Sequence, residues 1–280
     1  MSAGSAGHGA RSTVRPDRET SGRAPLRTFL RTSDGVRIDS VYDPPAVVYD
    51  APGSPSRDLV FVVAHGFTGD AHRPHVRRIA GTLARYGAVV TFSFRGHGLS
   101  GGHSTVGDRE VLDLAAAVAW ARGLGHPRVV TVGFSMGGSV VLRHAALHRR
   151  PAPDAVVSVS APARWFYRGT APMRRLHWMV TRPEGRLVGR YGFRTRIHHR
   201  TWDPVPLSPV EAVPRIAPAP LLIVHGDRDG YFPLDHPRTL AAAAGDHGEF
   251  WLEHGMGHAE HAAGEDLLRR IGDWAVARAG

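Results

Sequence analysis

Residues 129–142 constrain the fold more than any other stretch. A run of β-branched residues from Val129 to Val132 stops at Gly133, a serine follows at position 135, and a helix pattern of small apolar residues begins at once. The result is G-x-S-x-G set between a strand and a helix. A serine at so sharp a turn takes a strained backbone conformation, so the positions two residues either side of it must be small. Gly133 and Gly137 meet that need, and Gly138 lets the helix lie close to the sheet. The helix N-terminus beneath Ser135 adds a positive dipole end, which favours an alkoxide or a nearby oxyanion.

The rest of the chain repeats that strand–helix grammar. Leu26 to Thr32 and Val36 to Tyr42 flank Ser33-Asp34-Gly35, which is turn chemistry for an antiparallel hairpin. Leu59 to Ala64 is a continuous apolar run, the mark of a strand buried on both faces. It ends in His65-Gly66-Phe67-Thr68-Gly69, and a helix over about Pro74 to Tyr86 and a strand over Ala88 to Phe94 follow. Arg95-Gly96-His97-Gly98-Leu99-Ser100-Gly101-Gly102 is a glycine-dense loop out of which no helix opens directly, so it is no dinucleotide fingerprint. Asp108 to Gly123 is helical, the helix after Ser135 runs to about His148, and Asp154 to Ser160 is another buried-type strand. Alternation then lapses from Ala161 to Ala219 and resumes with a strand from Leu221, a helix over about Pro237 to Ala244, a strand over Glu249 to Glu253 and a final helix from about Gly264. Strand–helix alternation on both sides of an insertion predicts a mostly parallel sheet of about eight strands with helices on both faces. Ligands of such sheets sit beyond the carboxyl ends of the strands, where Ser135 stands.

Composition removes several chemistries. There is no cysteine, so disulfides, zinc-thiolate sites, iron–sulfur clusters and a cysteine nucleophile are excluded together. Lysine, asparagine and glutamine are also missing, which excludes a P-loop lysine, a lysine Schiff base and an amide side chain in an oxyanion hole. Residues 1–25 are rich in Ser, Gly, Ala and Arg without an apolar core, so they are expected to be a disordered leader and the cytoplasm is the expected location. No apolar stretch has the length of a membrane span. The net charge of +10 raises the question of nucleic acid or a membrane surface, and an arginine-rich solvated surface answers it.

A serine is a weak nucleophile until a base takes its proton, and the base needs a third group to hold its tautomer and orientation. Two strand ends supply candidates: His225-Gly226-Asp227-Arg228-Asp229-Gly230-Tyr231-Phe232-Pro233, and His254-Gly255-Met256-Gly257-His258-Ala259-Glu260-His261. The histidines of the second segment also invite a metal-ligand reading, which Gly255 and Gly257 disfavour by breaking any continuous helix there.

Taken together these residues resemble the α/β-hydrolase-fold serine hydrolases, over about Leu26 to Gly280 apart from the insertion. The family's chain order of nucleophile, acid and histidine fits Ser135, Asp229 and His258. Its H-G-x-x-D-x-x-x-P turn selects Asp229 over Asp227, which is left as a turn-capping residue. Its G-x-G-H motif selects His258. The resemblance also implies an oxyanion hole made by the backbone N–H groups of Met136 and Phe67, and a structural role for the Arg95–Gly102 loop. A serine at the turn implies acyl transfer on a small-molecule ester, esterase- or lipase-like, in a layout similar to the monoacylglycerol lipases. Thioesters, amides, peptides and acyl acceptors other than water use the same residues, and a ligand-binding protein on this fold is the alternative outside catalysis. No cofactor, metal, nucleic-acid partner or stable membrane insertion is implied.

By the same resemblance the core is expected to comprise residues 26–161 and 219–280, with 162–218 as a cap. The expected cap holds most of the large aromatics, among them Trp165, Phe166 and Trp178 as candidate substrate-binding residues. It also carries eleven arginines against three acidic residues, most of the formal charge excess. Either the aromatics are the cap's own small core and the arginines its solvated face, or the combination makes an apolar acyl pocket under a positive rim that draws in anionic substrates or an anionic lipid surface.

Overall fold

The computed structural model describes residues 24–46, 56–148 and 152–279. The leader expected over residues 1–25 therefore lies outside the described residues, apart from its last two. Eight strands form one sheet: β1 (Leu26–Arg31), β2 (Arg37–Asp43), β3 (Ser56–Ala64), β4 (Gly87–Phe92), β5 (Arg128–Phe134), β6 (Ala155–Val159), β7 (Leu221–Gly226) and β8 (Gly248–Glu253). Their spatial order is β1-β2-β4-β3-β5-β6-β7-β8. β1 and β2 form the expected hairpin and β2 joins β4 antiparallel, while the other pairs are parallel.

The helices are α1 (Pro74–Leu83), α2 (Glu110–Gly123), α3 (Met136–Leu147), α4 (Ala171–Thr181), α5 (Pro183–Gly192), α6 (Pro209–Ala212), α7 (Asp235–Ala244), α8 (Ala259–Ala262) and α9 (Glu265–Arg278). Strand β3 shows why the sheet is sandwiched. Leu59, Phe61 and Val63 enter one core with Ile79 and Leu83 of α1 and Leu268 and Ile271 of α9. Val60, Val62 and Ala64 enter the other with Leu114 and Val118 of α2 and Val140 and Val141 of α3. A strand with apolar side chains on both faces has no solvent side to offer, so helices must cover both.

Between β6 and β7 the chain leaves the sheet. α4 and α5 pack closely, because Gly185 faces the backbone of Met179 where a Cβ would sit only 2.5 Å from the Met179 Cα. The segment returns along the glycine-dense loop. Arg196 N–H donates to the Gly96 carbonyl (2.7 Å), Ser104 N–H to the Arg196 carbonyl (2.7 Å) and His198 N–H to the Ser104 carbonyl (2.8 Å). Gly96, at φ +76°, is forced by this approach, since a side chain there would run into Arg196 and Ser104 backbone. The loop is fixed from below by Arg95, whose buried guanidinium pairs with Asp34 in the β1–β2 turn (2.7 Å) and with Asp113 on α2 (2.8 Å).

Helix α3 carries His144 on its fully buried face, with neither ring nitrogen hydrogen-bonded among the described residues. Burial pushes its pKa from the ordinary 6.5 down to about 3. Between those values the unfolded chain binds the extra proton, so folding stability falls as pH is lowered, by up to about 1.4 kcal/mol per pH unit for one such group. Urea midpoints measured from pH 7 to pH 4 are expected to fall less steeply in His144→Leu than in the wild type. An unchanged slope would show that His144 is not held neutral.

Candidate active site

The turn between β5 and α3 sets the site. Ser135 has φ 52° and ψ −114°, a strained conformation for a residue with a side chain. Two glycines permit it: a methyl group on Gly133 would run into the Gly137 carbonyl, and one on Gly137 into the Ala64 carbonyl at the end of β3. A Cβ on Gly138 would lie 2.9 Å from the Ala161 side chain. Ser135 N–H donates to the Val159 carbonyl (2.9 Å), tying the turn to the end of β6.

Asp229 and His258 arrive from the ends of β7 and β8. His258 Nδ1 lies 2.8 Å from Asp229 Oδ2, and His258 Nε2 lies 2.9 Å from Ser135 Oγ. An ionised carboxylate only accepts, so Nδ1 carries the hydrogen and Nε2 of the neutral ring is left to accept from the serine hydroxyl. The other Asp229 oxygen accepts from the N–H groups of Tyr231 (2.8 Å) and Phe232 (3.1 Å). Burial works to raise the Asp229 pKa, but the bond to His258, its charge and the Phe232 N–H outweigh burial and hold the carboxyl below its ordinary value. Asp227 points elsewhere. It accepts from Gly255 N–H (2.7 Å) and meets His254 Nδ1 (3.0 Å), which closes the turn after β8. Among the described residues no three His, Asp or Glu side chains group as metal ligands.

Three neighbours were not singled out by sequence reasoning. The Tyr231 ring stacks on the His258 imidazole at 4.1 Å between centroids and 22° between planes, covering one face of it. Glu260, 4 % exposed, accepts from Gly66 N–H at 2.9 Å. Gly66 leaves the space for this, because a Cβ there would lie 2.9 Å from the same carboxylate oxygen. His65, also buried, accepts from Phe94 N–H at Nε2 (3.0 Å), so its hydrogen sits on Nδ1 and donates to the Gly66 carbonyl (2.7 Å). In a trans peptide the carbonyl and the following N–H point in opposite directions, so holding the Gly66 carbonyl on His65 aims the Phe67 N–H the other way. Met136 is the first residue of α3, and its N–H is one of the unpaired donors that every helix start presents.

Both residues line a cavity of 420 Å3 that opens at Ser135. Its walls are mainly apolar and come from the β6–β7 segment, including Trp165, Phe166, Met173, Leu176 and Trp202. The indole N–H of Trp165 donates to the Pro206 carbonyl (2.9 Å) and that of Trp202 to the Thr105 carbonyl (2.8 Å), so the wall aromatics have satisfied polar edges. Trp178, the third aromatic candidate, is 46 % exposed and does not line the cavity. Trp202 takes a wall position instead, 5.1 Å from the Trp165 ring centroid.

A sequence model of the Alpha/beta hydrolase family matches residues 59–270. A monoacylglycerol lipase of Mycolicibacterium smegmatis is 28% identical over 227 residues, covering 69% of this chain and 79% of that protein. The esterase Pf2001 of Pyrococcus furiosus superimposes with a TM-score of 0.69 at 23% identity, over 92% of each chain. XC6422 of Xanthomonas campestris, described as a serine hydrolase without a lid, gives a TM-score of 0.61 at 21% identity over 91% of this chain and 95% of that one. At these identities the structural likenesses speak for the fold.

Burial, followed by the charge of His97, pushes the His65 pKa well below 6.5. Nitrogen-15 NMR of the ring is therefore expected to report a neutral His65 with its hydrogen on Nδ1 at pH 5, where exposed histidines are cationic. A cationic His65 at that pH would break the Phe94 bond and contradict the geometry.

Proposed function

Because the chain belongs to the alpha/beta hydrolase family, we propose that it hydrolyses carboxylic esters with Ser135 as nucleophile, His258 as base and Asp229 as the group that orients the base. The supporting observation is the unbroken hydrogen-bonded line from Asp229 through His258 to Ser135 at the mouth of an apolar cavity. Esters are chosen among acyl compounds because the relatives are called a lipase and an esterase.

In this reading His258 Nε2 takes the Ser135 hydroxyl proton as Oγ attacks the ester carbonyl carbon. Charge collects on the former carbonyl oxygen, and the N–H groups of Met136 and Phe67 receive it. Collapse breaks the bond to the alkoxy group, which leaves with the proton from His258. Water then gives a proton to the same nitrogen and attacks the acyl-enzyme, the bond from the acyl carbon to Oγ breaks as His258 returns that proton to Ser135, and the carboxylic acid departs. Asp229, held ionised, stabilises the imidazolium formed in each half-reaction. Tyr231 keeps water from one face of that ring. Residues 162–218 act as a cap whose aromatic walls bury the acyl chain. Among the described residues no helix is long and apolar enough to cross a membrane.

Hydrolysis of p-nitrophenyl esters from acetyl to palmitoyl is the direct measurement. Replacement Ser135→Ala is expected to remove turnover, and Asp229→Asn to lower kcat by about 10⁴ with little change in KM, because an amide favours the wrong imidazole tautomer. Turnover that survives Ser135→Ala would sink the proposal.

A further inference from the structure

The cavity has apolar walls and an unneutralised cationic rim. Four arginines line it, Arg164, Arg168, Arg186 and Arg200, and no aspartate or glutamate does. Arg164 already has a partner, since it pairs with Asp235 at 2.6 Å. Among the described residues the Arg186 guanidinium donates only to the carbonyls of Val180 and Thr181 and meets no carboxylate. The guanidinium groups of Arg168 and Arg200 have no hydrogen bond or carboxylate among the described residues. A nearby histidine registers the charge of Arg168. The pKa of His177, on the cavity wall, is lowered by burial and then by the charge of Arg168.

The lining also has a direction. Thr170, just before α4, donates its hydroxyl to the Tyr231 carbonyl (2.9 Å) beside His258, so this end of the helix sits near the reacting serine. The 11 residues of α4 then rise roughly 16 Å at 1.5 Å per residue to Val180, Thr181 and the Arg186 guanidinium. Between those ends the wall offers Met173 and Leu176, which suit methylene groups and not charge.

We infer that the ester taken by this site carries an anionic group on a short hydrocarbon that lies along the apolar wall, the charge being received by the cationic lining of the cavity to which Arg168, Arg186 and Arg200 contribute. The inference rests on the ester-hydrolase reading above. A concave lining of cations around an apolar trough suits a small amphiphilic anion better than a flat lipid surface, because the trough focuses the field inward.

The experiment compares p-nitrophenyl monoesters of straight-chain dicarboxylic acids, from glutarate to azelate, with p-nitrophenyl esters of neutral fatty acids of matching length. At low salt, kcat/KM for the best anionic ester is expected to exceed its neutral counterpart by about tenfold, and the ratio to shrink in about 0.5 M NaCl. In the triple variant Arg168→Gln, Arg186→Gln, Arg200→Gln the ratio is expected to fall towards one, and the three corresponding Arg→Lys replacements to restore part of it. Thermal unfolding of each variant confirms that it is folded. Equal kcat/KM for charged and neutral esters, or a preference that persists in the triple glutamine variant, overturns the inference while leaving the ester hydrolase standing. Equal rates together with co-sedimentation on phosphatidylglycerol vesicles, lost in the same variant, would also overturn it and give the arginines to a lipid surface. No hydrolysis of either series by the folded protein overturns the ester-hydrolase reading itself.

Discussion

The structure depends on one close backbone approach, where β3, β5 and α3 meet around Gly133 and Gly137. In the parallel pairing Ala64 stands opposite Gly133, and Gly137 lies against the Ala64 carbonyl. Nothing larger than hydrogen fits at either glycine, so the helix is held against the strand ends and Ser135 is squeezed out of the turn at φ 52°. A conformation of that kind costs about 1–3 kcal/mol. Burial offsets it easily: Val129, Val130, Val132, Phe134, Val140 and Val141 are all fully buried, and each such side chain is worth about 1.5–3 kcal/mol against exposure. The sheet core supplies the force, and the turn converts it into an exposed hydroxyl.

The second half of the site uses polar contacts instead of packing. His65 and Glu260 hold the two ends of one residue: the imidazole takes the Gly66 carbonyl and the carboxylate takes the Gly66 N–H. With both groups engaged, the peptide plane that carries the Phe67 N–H cannot flip without losing a buried hydrogen bond, a loss of about 1–3 kcal/mol. Glu260 lies two residues beyond His258, so the segment that delivers the His258 imidazole also pins the loop that faces Ser135.

Much of this was legible in the sequence because it rests on local patterns. Continuous apolar runs mark β3 to β7, and two glycines flanking a serine mark the turn. Asp229 and His258 are the residues that the resemblance to the family's motifs selects; His258 stands beside Ser135 and Asp229 behind His258. Other features left no local trace. Glu260 reaches back 194 residues to Gly66, and no period or motif links two such positions. The Tyr231 ring lies on His258 only because the β7 and β8 ends are adjacent. In residues 162–218 composition showed that aromatics were plentiful but not which way each faced, so Trp178 on an exposed helix face and Trp202 on the cavity wall read alike.

The glycine-dense loop explains how that segment is registered to the site. Residues 195–198 join residues 96–104 by two β-bridges, a fixed edge made of backbone hydrogen bonds. The same loop presents the His97 ring, 5.1 Å from the His65 ring and 5.7 Å from the Phe67 ring between centroids. Arg95 clamps it beneath to the β1–β2 turn and to α2. A shift of the 195–198 edge would therefore press on His97, and through it on the residues that set the Phe67 peptide. Packed interiors pass such a displacement on because they hold no slack to absorb it. The cavity wall and the Ser135 mouth are mechanically one unit along this edge, so the shape of the wall and the aim of the Phe67 N–H are set together.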